Sequence, residues 1–196
     1  MMDGFGRVAG AAILAIALGA VSAFADDIPE NKRTKLGLYL TAAEAPSMLS
    51  DEDVILIDIR SRAEANFLGI PIRANVHIPY MEMPLVPEFN AEKGDYALEI
   101  NPDFPLDFRR YAEAHGVTED TPIVLMCRSG TRSAKAADLL AEMGFRQVYT
   151  LVDGFEGDKA REGPQAGQRV VNGWKNAGLT WSYVIRPDQA YPADTM

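Results

Sequence analysis

The chain has one cysteine, Cys127, and two histidines, His77 and His115, in 196 residues. A single thiol makes no internal disulfide, and one thiol with two scattered imidazoles makes no zinc or Cys-x-x-Cys site. No acidic pair stands out at metal-ligand spacing, no glycine fingerprint for a nucleotide is present, and no internal repeat is evident. Positive charge is also short. Nineteen Lys and Arg face 28 Asp and Glu, for a net charge of −9. A nucleic-acid partner needs a basic face, so that class is excluded. The same deficit makes the whole molecule a poor attractor of anions, so any anion site must be local.

Long apolar stretches are scarce. The longest, Val8 to Val21, follows Arg7 and ends at the small-x-small triplet Ala23-Phe24-Ala25, with Asp26-Asp27 next. That order predicts a signal peptide over 1–25, cleavage near Ala25, and a periplasmic or secreted protein with no stable membrane anchor. Residues 26–35 are polar and read as a flexible leader. An exported domain usually carries its cysteines in pairs, so a lone one is either buried and inert or a reactive thiol.

The surroundings of Cys127 point to the reactive thiol. Ile123-Val124-Leu125-Met126 reads as a buried strand and leads straight into Cys127-Arg128-Ser129-Gly130-Thr131-Arg132-Ser133. A helix is expected next, capped by Ser133 and ended by Gly144. A strand-to-helix loop turns backbone N–H groups inward, and the helix adds its positive end. Such a site favours a thiolate. Arg128 and Arg132 add fixed positive charge, Gly130 permits a turn closed to other residues, and Ser129 and Thr131 bring hydroxyls. Together these residues make a nucleophilic sulfur in a small anion cradle.

Cys-Arg-Ser-Gly-x-Arg-Ser after a buried strand resembles the active-site loop of the rhodanese family of sulfurtransferases. The loop from Cys127 to Arg132 is six residues long, the length that in that family pockets a sulfur atom. Related phosphatases and arsenate reductases use a longer loop, and tyrosine-phosphatase spacing would need arginine where this chain has Ser133. The resemblance covers about Leu36 to Tyr183. It implies an α/β, three-layer rhodanese-like fold with a central parallel sheet flanked by helices. It also implies a Cys127 persulfide formed from thiosulfate or a similar donor and passed to a thiol or cyanide, with no metal or organic cofactor. Residues 128–133 would bind the donor, with Arg128 and Arg132 on its sulfonate. The expected partners are a small sulfur-donor anion, a thiol acceptor and a periplasmic protein acceptor. A persulfide carrier with little turnover, or an interaction module, is the alternative.

Other segments fit in order. Thr41 to Glu44 and Ser61 to Glu64 have capping-box spacing. Val54 to Arg60 reads as a central strand buried on both faces. It ends in Asp58-x-Arg60, like the family's first strand. Asp58 and Arg60 either pair to tie strand to helix or border the pocket. Ala74, Ile78 and Pro79 match the family's Ala-x-x-Ile-Pro, although the usual His and Gly before them are missing. His77 is expected to be packed and His115 exposed. Residues 81–103 form a long stretch with Pro84, Pro87, Gly94 and Pro102, in which Met81, Met83, Leu85 and Phe89 either cover the active-site mouth or pack locally. A helix is expected from Phe104 to His115. Gln147 to Leu151 reads as a strand, with Val152-Asp153-Gly154-Phe155 after it. The family's Trp-x-x-Ala-Gly-Leu appears late, at Trp174 to Leu179, so 156–172 reads as an insertion within a domain spanning 36–183. Its Arg161 and Arg169 either approach the pocket or lie on a solvated loop, and the solvated loop is the expectation. Residues 184–196 form a tail.

Overall fold

The computed structural model describes residues 28–190, so the candidate signal peptide lies outside the described residues. In chain order a 3-10 turn at Glu30–Lys32, within the expected leader, is followed by β1 (Tyr39–Leu40), α1 (Ala45–Leu49), β2 (Ile55–Asp58), α2 (Arg62–Leu68), β3 (Ile70–Pro71) and β4 (Val76–His77). Then come β5 (Met81–Glu82), β6 (Phe89–Asn90), β7 (Asp95–Tyr96), β8 (Glu99–Ile100) and α3 (Phe104–His115). The last are β9 (Ile123–Met126), α4 (Thr131–Glu142), β10 (Val148–Leu151) and β11 (Trp181–Ser182). Among the described residues no helix is long and apolar enough to cross a membrane.

Five strands form one sheet in the order β1-β10-β9-β2-β4, and every pairing within it is parallel. β9 lies in the middle and is fully buried. Successive side chains on a strand point to opposite faces, so a central strand must be apolar at every position. Ile123 and Leu125 accordingly enter one core with Ile57, Phe104, Phe108 and Leu140. Val124 and Met126 enter the other with Leu49, Leu56, Leu151, Phe155 and Trp174. Helices cover both faces, and the strands all deliver their carboxyl ends to one edge, where open α/β sheets hold ligands.

The helix boundaries follow local chemistry. At α2, Ser61 Oγ accepts from the Glu64 N–H at 3.2 Å while the Glu64 carboxylate accepts from the Ser61 N–H at 3.0 Å, the expected capping box. Thr41 and Glu44 make the same reciprocal bonds at 3.3 and 2.8 Å, one turn ahead of α1. Gly116, left-handed at φ 67°, ends α3. The expected cap at Ser133 does not form. Gly130 is the N-cap of α4, left-handed at φ 96°, and Ser133 lies inside the helix.

Residues 81–100 are more regular than their composition suggests. β5 pairs antiparallel with β8, and β6 with β7, so one two-residue ribbon is nested inside another. The inner turn closes where the Gly94 N–H donates to Asn90 O and the Lys93 N–H donates to Asn90 Oδ1. The C-terminal segment is tied down. β11 pairs with β3, and buried Gln189 donates to Ala74 O at 2.7 Å while its carbonyl accepts from the His77 N–H.

Candidate active site at the head of the fourth helix

Cys127 is the first residue after β9 and is 2 % exposed. The chain beyond β9 stays paired. Cys127 O accepts from the Phe155 N–H at 2.8 Å and Arg128 O from the Glu156 N–H at 3.0 Å. That approach fixes two glycines. A Cβ on Gly154 would sit 2.6 Å from Cys127 O and the Ser129 nitrogen, and one on Gly130 would sit 2.1 Å from Val152 O. Both residues also have positive φ, so a side chain there would be strained as well as crowded.

The sulfur packs against the apolar core on one side, and polar groups face it on the other. The Gly130 N–H donates to Sγ at 3.2 Å, and the Sγ–H donates to Ser133 Oγ at 3.6 Å. Ser133 Oγ also donates to Gly130 O at 2.9 Å and lies 2.5 Å from Thr150 Oγ1. A hydroxyl rotates to suit its neighbours, so Ser133 can accept from a thiol or turn its proton toward a thiolate. The N–H groups of the first turn of α4, which have no partner within the helix, add positive potential beside it.

The two loop arginines are already engaged. Arg132 makes a bidentate pair with Glu64, both contacts at 2.6 Å, and Arg128 Nε donates to Glu156 at 2.5 Å. Burial pushes the Glu64 carboxyl up, but hydrogen bonds and charge from Arg132, the Ser61 N–H and the Arg60 charge outweigh it. The carboxyl is held at about 2 against an ordinary 4.5. Burial disfavours the Arg132 cation, and Glu64 more than restores it, so its proton is held above the usual range. Arg128 is held through Nε with its side chain 43% exposed, and both arginines line the cavity described below.

Asp58 and Arg60 form a fully buried pair. Arg60 also donates to Gly69 O at 2.6 Å, and its guanidinium carbon stands 3.8 Å from the Phe155 ring centre. They tie the end of β2 to the end of α2, and neither lines the cavity described below. His77 is buried with Nε2 2.6 Å from Arg60 O, and His115 is exposed and stacked on Tyr111.

A cavity of about 870 Å³ opens beside the loop. Arg128, Ser129, Thr131 and Arg132 line it together with Phe67, Met81, Met83 and Tyr96; Cys127, next in sequence to Arg128, is not part of the lining. The nested ribbons therefore contribute a wall of the cavity. Leu85 is fully exposed, and Phe89 packs edge-on against Tyr96 with ring centres 5.6 Å apart. Arg169 also reaches the cavity, contrary to its expected place in solvent; Arg161 is exposed. Nothing at sequence level distinguished the two arginines. The difference arises because Arg169 is bridged antiparallel to Lys159, and its carbonyl accepts from Asn176 Nδ2 at 3.2 Å. Among the described residues no group of His, Cys, Asp and Glu could hold a metal ion.

Comparison with known proteins agrees with this architecture. A family model described as Rhodanese-like domain matches residues 41–161, more than half of the chain. An uncharacterized RP600 homologue from Rickettsia rickettsii is 27% identical over 138 residues, covering 69% of this chain and 89% of its own. The thiosulfate sulfurtransferase/rhodanese-like domain-containing protein 3 of Mus musculus is 30% identical over 118 residues, 60% of this chain and 65% of its own. Among solved structures, that of Rv0390 from M. tuberculosis superposes with a TM-score of 0.55 at 27% identity, covering 74% of this chain and 97% of its own. With the parallel sheet, the loop after its central strand and this match together, the chain belongs to the rhodanese-like domain family.

Proposed function

We propose that this protein is a sulfurtransferase that takes a sulfane sulfur onto Cys127 from thiosulfate or a similar donor. The Cys127 thiolate attacks the outer sulfur, the S–S bond of thiosulfate breaks, and sulfite leaves with the bonding pair. The product is a Cys127 persulfide. A thiolate or cyanide then takes the outer sulfur and regenerates the thiolate. The observation that carries this reading is the Gly130 N–H aimed at Sγ at the head of α4, next to an open cavity. A preorganised donor there favours negative charge on either the thiolate or the persulfide. The mouse relative, named in part for thiosulfate sulfurtransferase, supports the choice of donor.

The near-complete burial of Cys127 favours a second reading, a sheltered persulfide carrier with slow turnover. Either way the acceptor would be a small thiol or a protein thiol. We place the mature protein outside the cytoplasm, after cleavage near Ala25.

The experiment is intact-mass spectrometry of protein recovered from the exported fraction and then incubated with thiosulfate. A gain of one sulfur on Cys127, absent in Cys127→Ser, is expected, with a mature terminus at Asp26. No gain, while the thiol still reacts with a neutral alkylating agent, would overturn the transfer reading. Comparing single-turnover loading with steady-state turnover on small thiols separates enzyme from carrier.

A further inference from the structure

We propose that Arg169, carried to the cavity by residues 156–172, binds the anionic end of the sulfur donor. The proposal rests on the sulfur-transfer reading and adds a third cation to the two loop arginines at the donor site. Those two are paired with Glu64 and Glu156. Arg169 lines the same cavity and makes no ion pair among the described residues. Its Nη1 donates to Gly157 O, while its Nε is buried without any partner. A buried guanidinium N–H with no acceptor is costly, and an anion is the partner it fits best. Burial first, and then the neighbouring Arg128, disfavour the Arg169 cation. The charges of Glu156 and Asp158 act the other way, and a bound anion would add to them. The same cavity is lined by Arg128 and Ser129, the two residues that follow Cys127.

The excursion is built to place this residue. Its ends meet at Gly157 and Gly173, where a Cβ on Gly157 would lie 1.8 Å from Asn172 O and one on Gly173 would lie 2.4 Å from the Gly157 nitrogen. Asn172 Oδ1 accepts from the Asp158 N–H at 2.7 Å, and Asn176 Nδ2 donates to Glu156 O, Arg169 O and Asn172 O. Asp158 pairs with buried Lys32 at 2.8 Å, tying the excursion to the N-terminal segment. The family match ends at residue 161, so Arg169 lies beyond it.

The test separates binding from transfer. In a Cys127→Ser background, which cannot accept sulfur, thiosulfate binding is measured by titration calorimetry. Arg169→Met and Arg169→Gln are each expected to weaken it by about tenfold or more, and Arg169→Lys by only about threefold. With Cys127 restored, Arg169→Gln should raise the donor concentration needed for half-maximal loading far more than it lowers the maximal rate. Alkylation of Cys127 by neutral iodoacetamide should be unchanged. Equal thiosulfate affinity in the Gln variant and its parent, or no binding in the parent, would overturn the assignment. Intact binding with no sulfur gained on Cys127 would instead strike the transfer reading and leave Arg169 as an anion site.

Discussion

Glu64 shows how much one carboxylate can hold in place. It closes the capping box of α2 through Ser61 and clamps Arg132 on the Cys127 loop. Its side chain is only 16% exposed, so the pair works in a medium that screens it little. Because the folded carboxyl is held at about 2, below its ordinary 4.5, the sign of the pH effect is fixed. Its stabilisation is fully present above about 4.5 and is lost as the pH falls through about 2. Glu64→Gln should therefore cost about 2 kcal/mol near neutral pH, with the gap to the parent closing as the pH is lowered toward about 2. Urea midpoints of both proteins across that range check it, and a gap that ignores pH would refute it. The arrangement also gives Arg132 a contact that sequence reading did not find. Its partner lies 68 residues away, and no local spacing records it.

At the scale of elements, the β9-to-α4 connection is shaped by the strand beside it. Its outline was legible: four apolar residues in a row followed by Cys-Arg-Ser-Gly could hardly be anything but a buried strand and a tight turn. The cap was not. Ser133 has the right side chain for an N-cap, but the turn needs a left-handed residue, and only Gly130 fits under Val152 O. The helix starts there, and the Ser133 hydroxyl is left to serve the sulfur. The nested ribbons of 81–100 were illegible for another reason, since strands of two residues show no alternation to read. Gly154 is the element-level weak point, with φ 61° and the Cys127–Ser129 backbone directly against it. Gly154→Ala should destabilise by about 2 kcal/mol or more in urea melts and should slow thiosulfate loading of whatever still folds. A variant of parental stability and parental loading rate would show that the close approach does not matter.

For the whole molecule, the sheet order puts the chemistry on its most protected strand. β9 has a hydrogen-bonded neighbour on either side and a core on each face. Native-state hydrogen exchange should find its amides, Ile123 to Met126, among the last to exchange, opening only with global unfolding, while the 81–100 ribbons exchange early. Fast exchange in β9 would contradict the topology. The burial of β9 was the easiest part to read, because a run of apolar residues reports burial directly; the order of the strands was not read from the sequence. Long-range pairings such as Lys32 with Asp158, or Arg169 with the cavity, leave no such trace. The meeting of Gly157 and Gly173 carries this separation further. Residues 158–171 enter and leave through one narrow doorway, so their length and content can change without moving β10 or Trp174. Choice of reagent could then be re-engineered, or drift in evolution, as a graft on a sulfur-handling body that stays the same.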